Sequence, residues 1–199
     1  MPRCARPLLI AARGFAAALC GALLFAAAPA APAAPAAAAG PEPDLIPVGA
    51  PAPMFESVDT EGVPFTMAEA LKQGPVMLVF WSLFCASCME ELPIIEQEQS
   101  KYAGKVQIIT VNLDEGPRAL SNVRQVKKQR GFTFRILFNK VDRKAADGSV
   151  EKKEFHIAAT YKIKATPMLY LVNRDGTIAY GHAGPLNPEE LAEVVAKAK

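Results

Sequence analysis

Val79-Phe80-Trp81-Ser82-Leu83-Phe84-Cys85-Ala86-Ser87-Cys88-Met89-Glu90-Glu91-Leu92-Pro93 carries the chain from an apolar run into a polar, periodic one, with two cysteines at the change. Upstream, Val76 to Trp81 is unbroken, short and rich in strand formers, and it follows Gly74-Pro75. This predicts a strand buried on both faces. Downstream of Cys88, Leu92, Ile95 and Tyr102 recur at helical spacing with Glu and Gln between them, which predicts an amphipathic helix over Ala86 to Tyr102. Pro93 is expected to kink it, because an interior proline removes a backbone donor and crowds the preceding turn.

The cysteines therefore fall at the junction of a buried strand and a helix N-terminus. There the unpaired N–H groups and the helix dipole favour an anion, so the first sulfur is suited to be a thiolate near neutral pH. Cys85 is the candidate nucleophile and Cys88, one turn in, the candidate resolving thiol. Attack of the first on a disulfide and closure by the second is the chemistry that such a pair performs. A zinc site would need four ligands, and with His156 and His182 the only histidines the spacing fits no common module. A purely structural disulfide across so short a loop would add little loop-closure stability.

Working outward, Phe55 and Val63 to Phe65 flank Asp59-Thr60-Glu61-Gly62, which predicts an opening hairpin. Val106 to Leu113 predicts a second buried strand. Leu120, Val123 and Val126 mark a helix that stops at Gly131, and Phe134 to Phe138 is a further strand. Residues 139–154 are charged and contain Asp147-Gly148, as expected of an exposed insertion carrying a short helix. Met168 to Val172 and Thr177 to Tyr180 are joined by Asn173-Arg174-Asp175-Gly176, a hairpin signature. The last helix has Asn187 as N-cap, Pro188 at its first position and Leu191, Val194, Val195 and Ala198 on its apolar stripe.

The composition of the chain must be taken in two parts. The first 40 of its 199 residues hold 18 alanines and no acid, the first being Glu42. Arg3, Arg6 and Arg13 precede an apolar run from Phe15 to Ala28, the pattern of a secretory signal. That run is shorter than the roughly 20 residues that span a bilayer, so residues 1–28 are expected to be cleaved, with the small-residue site at 37–39 as a second position for the cut. An uncleaved leader would leave an N-terminal membrane anchor. Cys20 does not follow a small residue, as a lipid-modified cysteine would. Residues 29–47, rich in Ala and Pro, read as an extended linker, and the domain is expected over residues 48–199.

Without the leader arginines the chain carries 19 basic and 20 acidic residues, so no basic excess remains for nucleic acid. At 51% hydrophobic and 8% aromatic residues it has a core to bury, which excludes disorder. Only Cys85 and Cys88 remain once Cys4 and Cys20 leave with the leader. In an oxidising compartment an isolated pair points to one bond made and broken in place.

The cysteine segment resembles the active-site segment of the thioredoxin superfamily, and within it the exported TlpA/ResA-like thiol-disulfide oxidoreductases. Val48-Gly49-Ala50-Pro51-Ala52-Pro53, Glu61-Gly62, Tyr161, Ala165-Thr166-Pro167 and Asp175-Gly176 fall in the family's order. The resemblance implies an α/β thioredoxin-like fold, a central mixed sheet flanked by helices, with an N-terminal β-hairpin and the charged insertion before a cis-proline loop. It implies that Thr166 and Pro167 form that loop and bind substrate opposite the cysteines, with Trp81 beside the site or simply in the core. It also implies that Glu91 assists proton transfer, although by residue type alone Glu91 reads as a solvated helix position.

The activity implied is reduction of disulfides in a protein substrate in the periplasm, as in cytochrome c maturation or copper-site assembly. No flavin or nicotinamide motif is present, so no cofactor is expected and electrons are expected from a membrane thiol donor. Two departures stand out: Val79 replaces the buried acid of cytoplasmic thioredoxins, and the dipeptide Ala86-Ser87 lacks the groups that tune many relatives. Ser87 is placed either to donate to the thiolate or to cap the helix. The rival readings are an oxidase, a Cu(I) module using the two thiolates with Met89 or Met168, and a peroxidase. For the last, the expected proline seven residues before the reactive cysteine is Leu78, and only Ser82 matches the motif.

Overall fold

The computed structural model describes residues 44–144 and 150–199. The leader and most of the proposed linker lie outside the described residues. No helix among those described is long and apolar enough to cross a membrane.

The central strand is β3 (Val76–Trp81), buried at all six positions. Parallel to it runs β4 (Gln107–Asn112), followed by parallel β5 (Arg135–Phe138), and on its other side lie antiparallel β8 (Met168–Val172) and β9 (Ile178–Ala183). The sheet order is β5-β4-β3-β8-β9. Side chains alternate across a strand, so β3 feeds two cores. Val76, Leu78 and Phe80 face one, with Phe55, Phe65, Met67, Tyr161 and Tyr170, while Met77, Val79 and Trp81 face the other, with Cys88, Leu92, Val123 and Leu191. An unbroken apolar run is what a strand covered on both faces requires.

The opening hairpin forms as expected, β1 (Glu56–Val58) against β2 (Pro64–Thr66). It leads into a helix that the apolar pattern did not show, α1 (Met67–Gln73), whose N-cap Thr66 accepts from the Glu69 N–H at 3.1 Å. The cysteine helix α2 (Ala86–Glu98) continues through Pro93 into a 3-10 turn ending at Tyr102. Helix α3 (Ala119–Arg130) stops at Gly131, where φ of 70° lets the chain reverse and the Phe132 N–H reach the Lys127 carbonyl at 3.0 Å. The final helix α5 (Pro188–Val195) carries the full Asn187–Glu190 capping box.

The insertion corrects one expectation. In place of a short helix, β6 (Lys140–Lys144) and β7 (Val150–His156) pair antiparallel as a separate ribbon. The reason is in its two ends. Asn139 extends from β5 with its N–H on the Asn112 carbonyl, and its own carbonyl accepts from the Ile157 N–H at 3.1 Å, so the insertion must leave and return at one point. Two strands paired antiparallel do this, whereas a short helix would carry the chain away. A four-residue helix, α4 (Ile157–Thr160), follows.

The packed chain is already under way before residue 48. Ile46 is buried and donates its N–H to the Tyr170 hydroxyl at 3.1 Å. Further on, Gly49 and Ala50 bond to Ile178 at the start of β9, while Thr60 donates to the Ile136 carbonyl on β5.

Candidate active site

At its C-terminal end β3 passes into a three-residue turn, Ser82 to Phe84, that delivers Cys85 to the N-cap of α2. Cys85 has extended backbone there, and its Sγ accepts the Cys88 N–H at 3.1 Å. That is the sulfur version of an N-cap bond and favours the thiolate. Cys85 and Cys88 form a disulfide, with Cα atoms 5.2 Å apart. The two sulfurs differ in access: Cys88 is fully buried, and half-buried Cys85 lines an open cavity of about 690 Å³ with Ser82, Phe84, Ala86, Ser87, Glu90 and Thr166. Phe84 projects from the rim at 91% exposure.

The Thr166–Pro167 bond is cis, and the Thr166 carbonyl oxygen lies 3.3 Å from Cys85 Sγ. Thr166 is therefore brought to Cys85 from a loop 81 residues away in sequence. Ser87 Oγ is 3.5 Å from the same sulfur, within reach for a weak hydrogen bond.

Glu91 is not a solvated helix residue. It is 3% exposed, one turn after Cys88 on the same face of α2, with Leu92 and Ile95. Its Oε1 accepts the Leu186 N–H at 2.9 Å, and its Oε2 is buried with no hydrogen-bond partner among the described residues. Burial pushes its pKa up from 4.5 to about 7, against the smaller opposing pull of the Leu186 N–H. A carboxyl poised near neutrality beside a buried thiol is suited to exchange protons with it.

Trp81 departs from the substrate-side expectation. It is fully buried, with Nε1 donating to Thr110 Oγ1 at 3.1 Å, so it supports the end of β3 from within and presents nothing to the cavity. Met89 and Met168 pack in opposite cores, so the structure does not gather them as soft ligands around the cysteines. Leu78 lies within β3, with Ile109 and Tyr170 as its register partners. Neither histidine lines the cavity: His156 meets Asn139 and Glu115, and His182 stacks on Tyr180. Among the described residues no group of three or more His, Cys, Asp or Glu is placed to hold a metal.

Two site residues were missed from the sequence. Asp114, just beyond β4, accepts from Ser82 and Leu83 of the cysteine turn, and Leu186 supplies the donor to Glu91. For Asp114 a signal existed, since ligands and reacting groups gather at the carboxyl ends of parallel strands. For Leu186 there was none, because the group used is a backbone N–H.

The AhpC/TSA family matches residues 48–181. The thioredoxin-like protein YneN of Bacillus subtilis is 28% identical over 145 residues, covering 73% of this chain and 76% of that protein. The thiol-disulfide oxidoreductase ResA of Bacillus thuringiensis is also 28% identical over 145 residues, covering 72% and 74%. A crystal structure of a thioredoxin-family thiol:disulfide interchange protein from Chlorobium tepidum superposes with a TM-score of 0.59 at 21% identity, over 74% of this chain and 94% of that one. The five-stranded mixed sheet, the cysteine pair at a helix N-terminus and these likenesses agree: the chain belongs to the AhpC/TSA family of thioredoxin-like proteins and is a thiol-disulfide oxidoreductase.

Proposed function

We propose that the chain is exported to the periplasm and reduces disulfides in protein substrates, with Cys85 as nucleophile and Cys88 as resolving thiol. The observation that carries the assignment is the asymmetry of the pair: Cys85 opens onto the cavity, and Cys88 is wholly enclosed. In the reduced protein the Cys85 thiolate attacks one sulfur of the substrate disulfide, forming a mixed disulfide and releasing a substrate thiolate. Cys88, giving its proton to the Glu91 carboxylate, then attacks Cys85 Sγ. The mixed disulfide breaks, the second substrate thiolate leaves, and the 85–88 bond forms. Two electrons have passed to the substrate, and a dithiol of a membrane donor returns them.

Thr166 and Pro167 offer the backbone along which an extended substrate lies, with Thr166 facing Cys85. The leader supports export, the likeness to the oxidoreductase ResA supports exchange on disulfides, and the resemblance of the cysteine segment to the TlpA/ResA-like branch implies the reducing direction, with cytochrome c maturation or copper-site assembly as its setting.

The test is the equilibrium potential of the pair in a thiol redox buffer, read by alkylation and mass. A value below about −220 mV is expected, whereas one near −120 mV would make the protein an oxidant. In the same assay Cys85→Ser should abolish exchange, and Cys88→Ser should accumulate mixed disulfides. Full turnover by Cys85→Ser would overturn the assignment of roles.

A further inference from the structure

Between the last residue of β3 and the first turn of α2, three consecutive N–H groups need acceptors, and all find them at two residues. The Leu83 N–H donates to Asp114 Oδ2 at 2.8 Å, the Phe84 N–H to Ser82 Oγ at 3.1 Å, and the Cys85 N–H to the Ser82 carbonyl at 3.2 Å. Ser82 is itself fixed, because its hydroxyl donates to Asp114 Oδ1 at 2.6 Å. Asp114 is fixed in turn by fully buried Asn112, whose Nδ2 donates to Asp114 Oδ2 at 2.7 Å and whose Oδ1 accepts the Asp114 N–H at 3.1 Å. One carboxylate thus accepts three hydrogen bonds, two of them from the turn that carries Cys85.

We propose that Asp114, acting through Ser82, is a positioning residue for the nucleophile, holding the turn so that Cys85 Sγ stays on the Cys88 N–H and opposite the Thr166 carbonyl. The proposal rests on Cys85 being the attacking thiol. The bonds to the carboxylate are charge-assisted and stronger than those of a neutral acceptor, so the turn is anchored to the end of β4. Loosening it lets Sγ leave the N–H that stabilises its anion, and the thiol becomes less acidic. The bare charge of Asp114 acts in the opposite direction, since a nearby carboxylate disfavours a thiolate. The two effects have opposite signs, which makes the role testable.

The experiment follows alkylation of the reduced full chain against pH, with peptide mass mapping to separate Cys85 and Cys88 from Cys4 and Cys20. The proteins compared are the parent, Ser82→Ala, Asp114→Ala and Asp114→Asn. In the parent, Cys85 should react before Cys88. Ser82→Ala removes the relay without changing charge and should move the Cys85 midpoint upward by about one unit, and Asp114→Ala should move it upward by less, because it also removes the opposing charge. The thiolate fraction at pH 7 then falls by at most about tenfold, and the greater intrinsic reactivity of a more basic thiolate returns about threefold, so alkylation at pH 7 should slow by up to about three- to fourfold. Asp114→Asn, which keeps one acceptor oxygen, should recover part of the rate.

An unchanged midpoint in Ser82→Ala together with a lowered one in Asp114→Ala would overturn the proposal, leaving a purely electrostatic effect. Unchanged midpoints in both, with only a lower melting temperature, would also overturn it. Were Cys88 to react first in the parent, the nucleophile assignment itself would fail and the proposal with it.

Discussion

Burial keeps the Glu91 carboxyl protonated in the folded protein up to about pH 7, whereas in the unfolded chain it ionises near 4.5. Between those values the unfolded state holds fewer protons than the folded one, so stability falls as pH rises through that window and levels off above it. The shift corresponds to at most about 3 kcal/mol. Glu91→Gln removes this slope. In urea titrations of the oxidised protein the variant should be the more stable above pH 7, the difference shrinking toward pH 4.5. Its exchange rate should also lose the inflection near neutrality, and parallel pH profiles would sink the proton-transfer role. Glu91 occupies a position on the stripe of Cys88, Leu92 and Ile95, so its burial was legible in the spacing. Its charge argued the other way. What could not be read was the partner, a backbone N–H from Leu186, 95 residues on.

At the scale of elements, legibility followed length and environment. β3 showed itself because six consecutive apolar residues have no other simple reading, and α5 because its cap, proline and stripe agree. Helix α1 has seven residues, too few to establish a period, and only the Thr66-x-x-Glu69 cap announces it. The ribbon was mistaken because charge along residues 139–154 leaves no apolar period to read, and what makes the segment a ribbon is backbone pairing between its two halves. It leaves and returns at neighbouring residues, Lys140 and His156 being register partners, so it is an appendage to the sheet. Replacing residues 141–155 with Asn-Gly, a pair suited to a two-residue turn, should leave a folded protein. Its melting temperature should change by only a few degrees, with exchange on a small-molecule disulfide retained. Loss of cooperative unfolding would instead make the ribbon part of the core.

For the whole molecule, the question is where the fold begins. Ile46 adds a buried side chain and a hydrogen bond to Tyr170, so a chain starting at Pro47 should be less stable than one starting at Asp44. The difference, by denaturant titration, should be about 2 to 4 kcal/mol. Equal midpoints would return residues 44–46 to the linker. The same opening segment meets both outer strands of the sheet, Gly49, Ala50 and Ala52 bonding along the start of β9 and its hairpin turn, and Asp59 and Thr60 lying against β5. Bare strand edges are templates on which other chains add and aggregate. A few residues of one segment thus blunt both, and a clip or truncation in this stretch would be felt first in the protein's solubility, before its chemistry is touched.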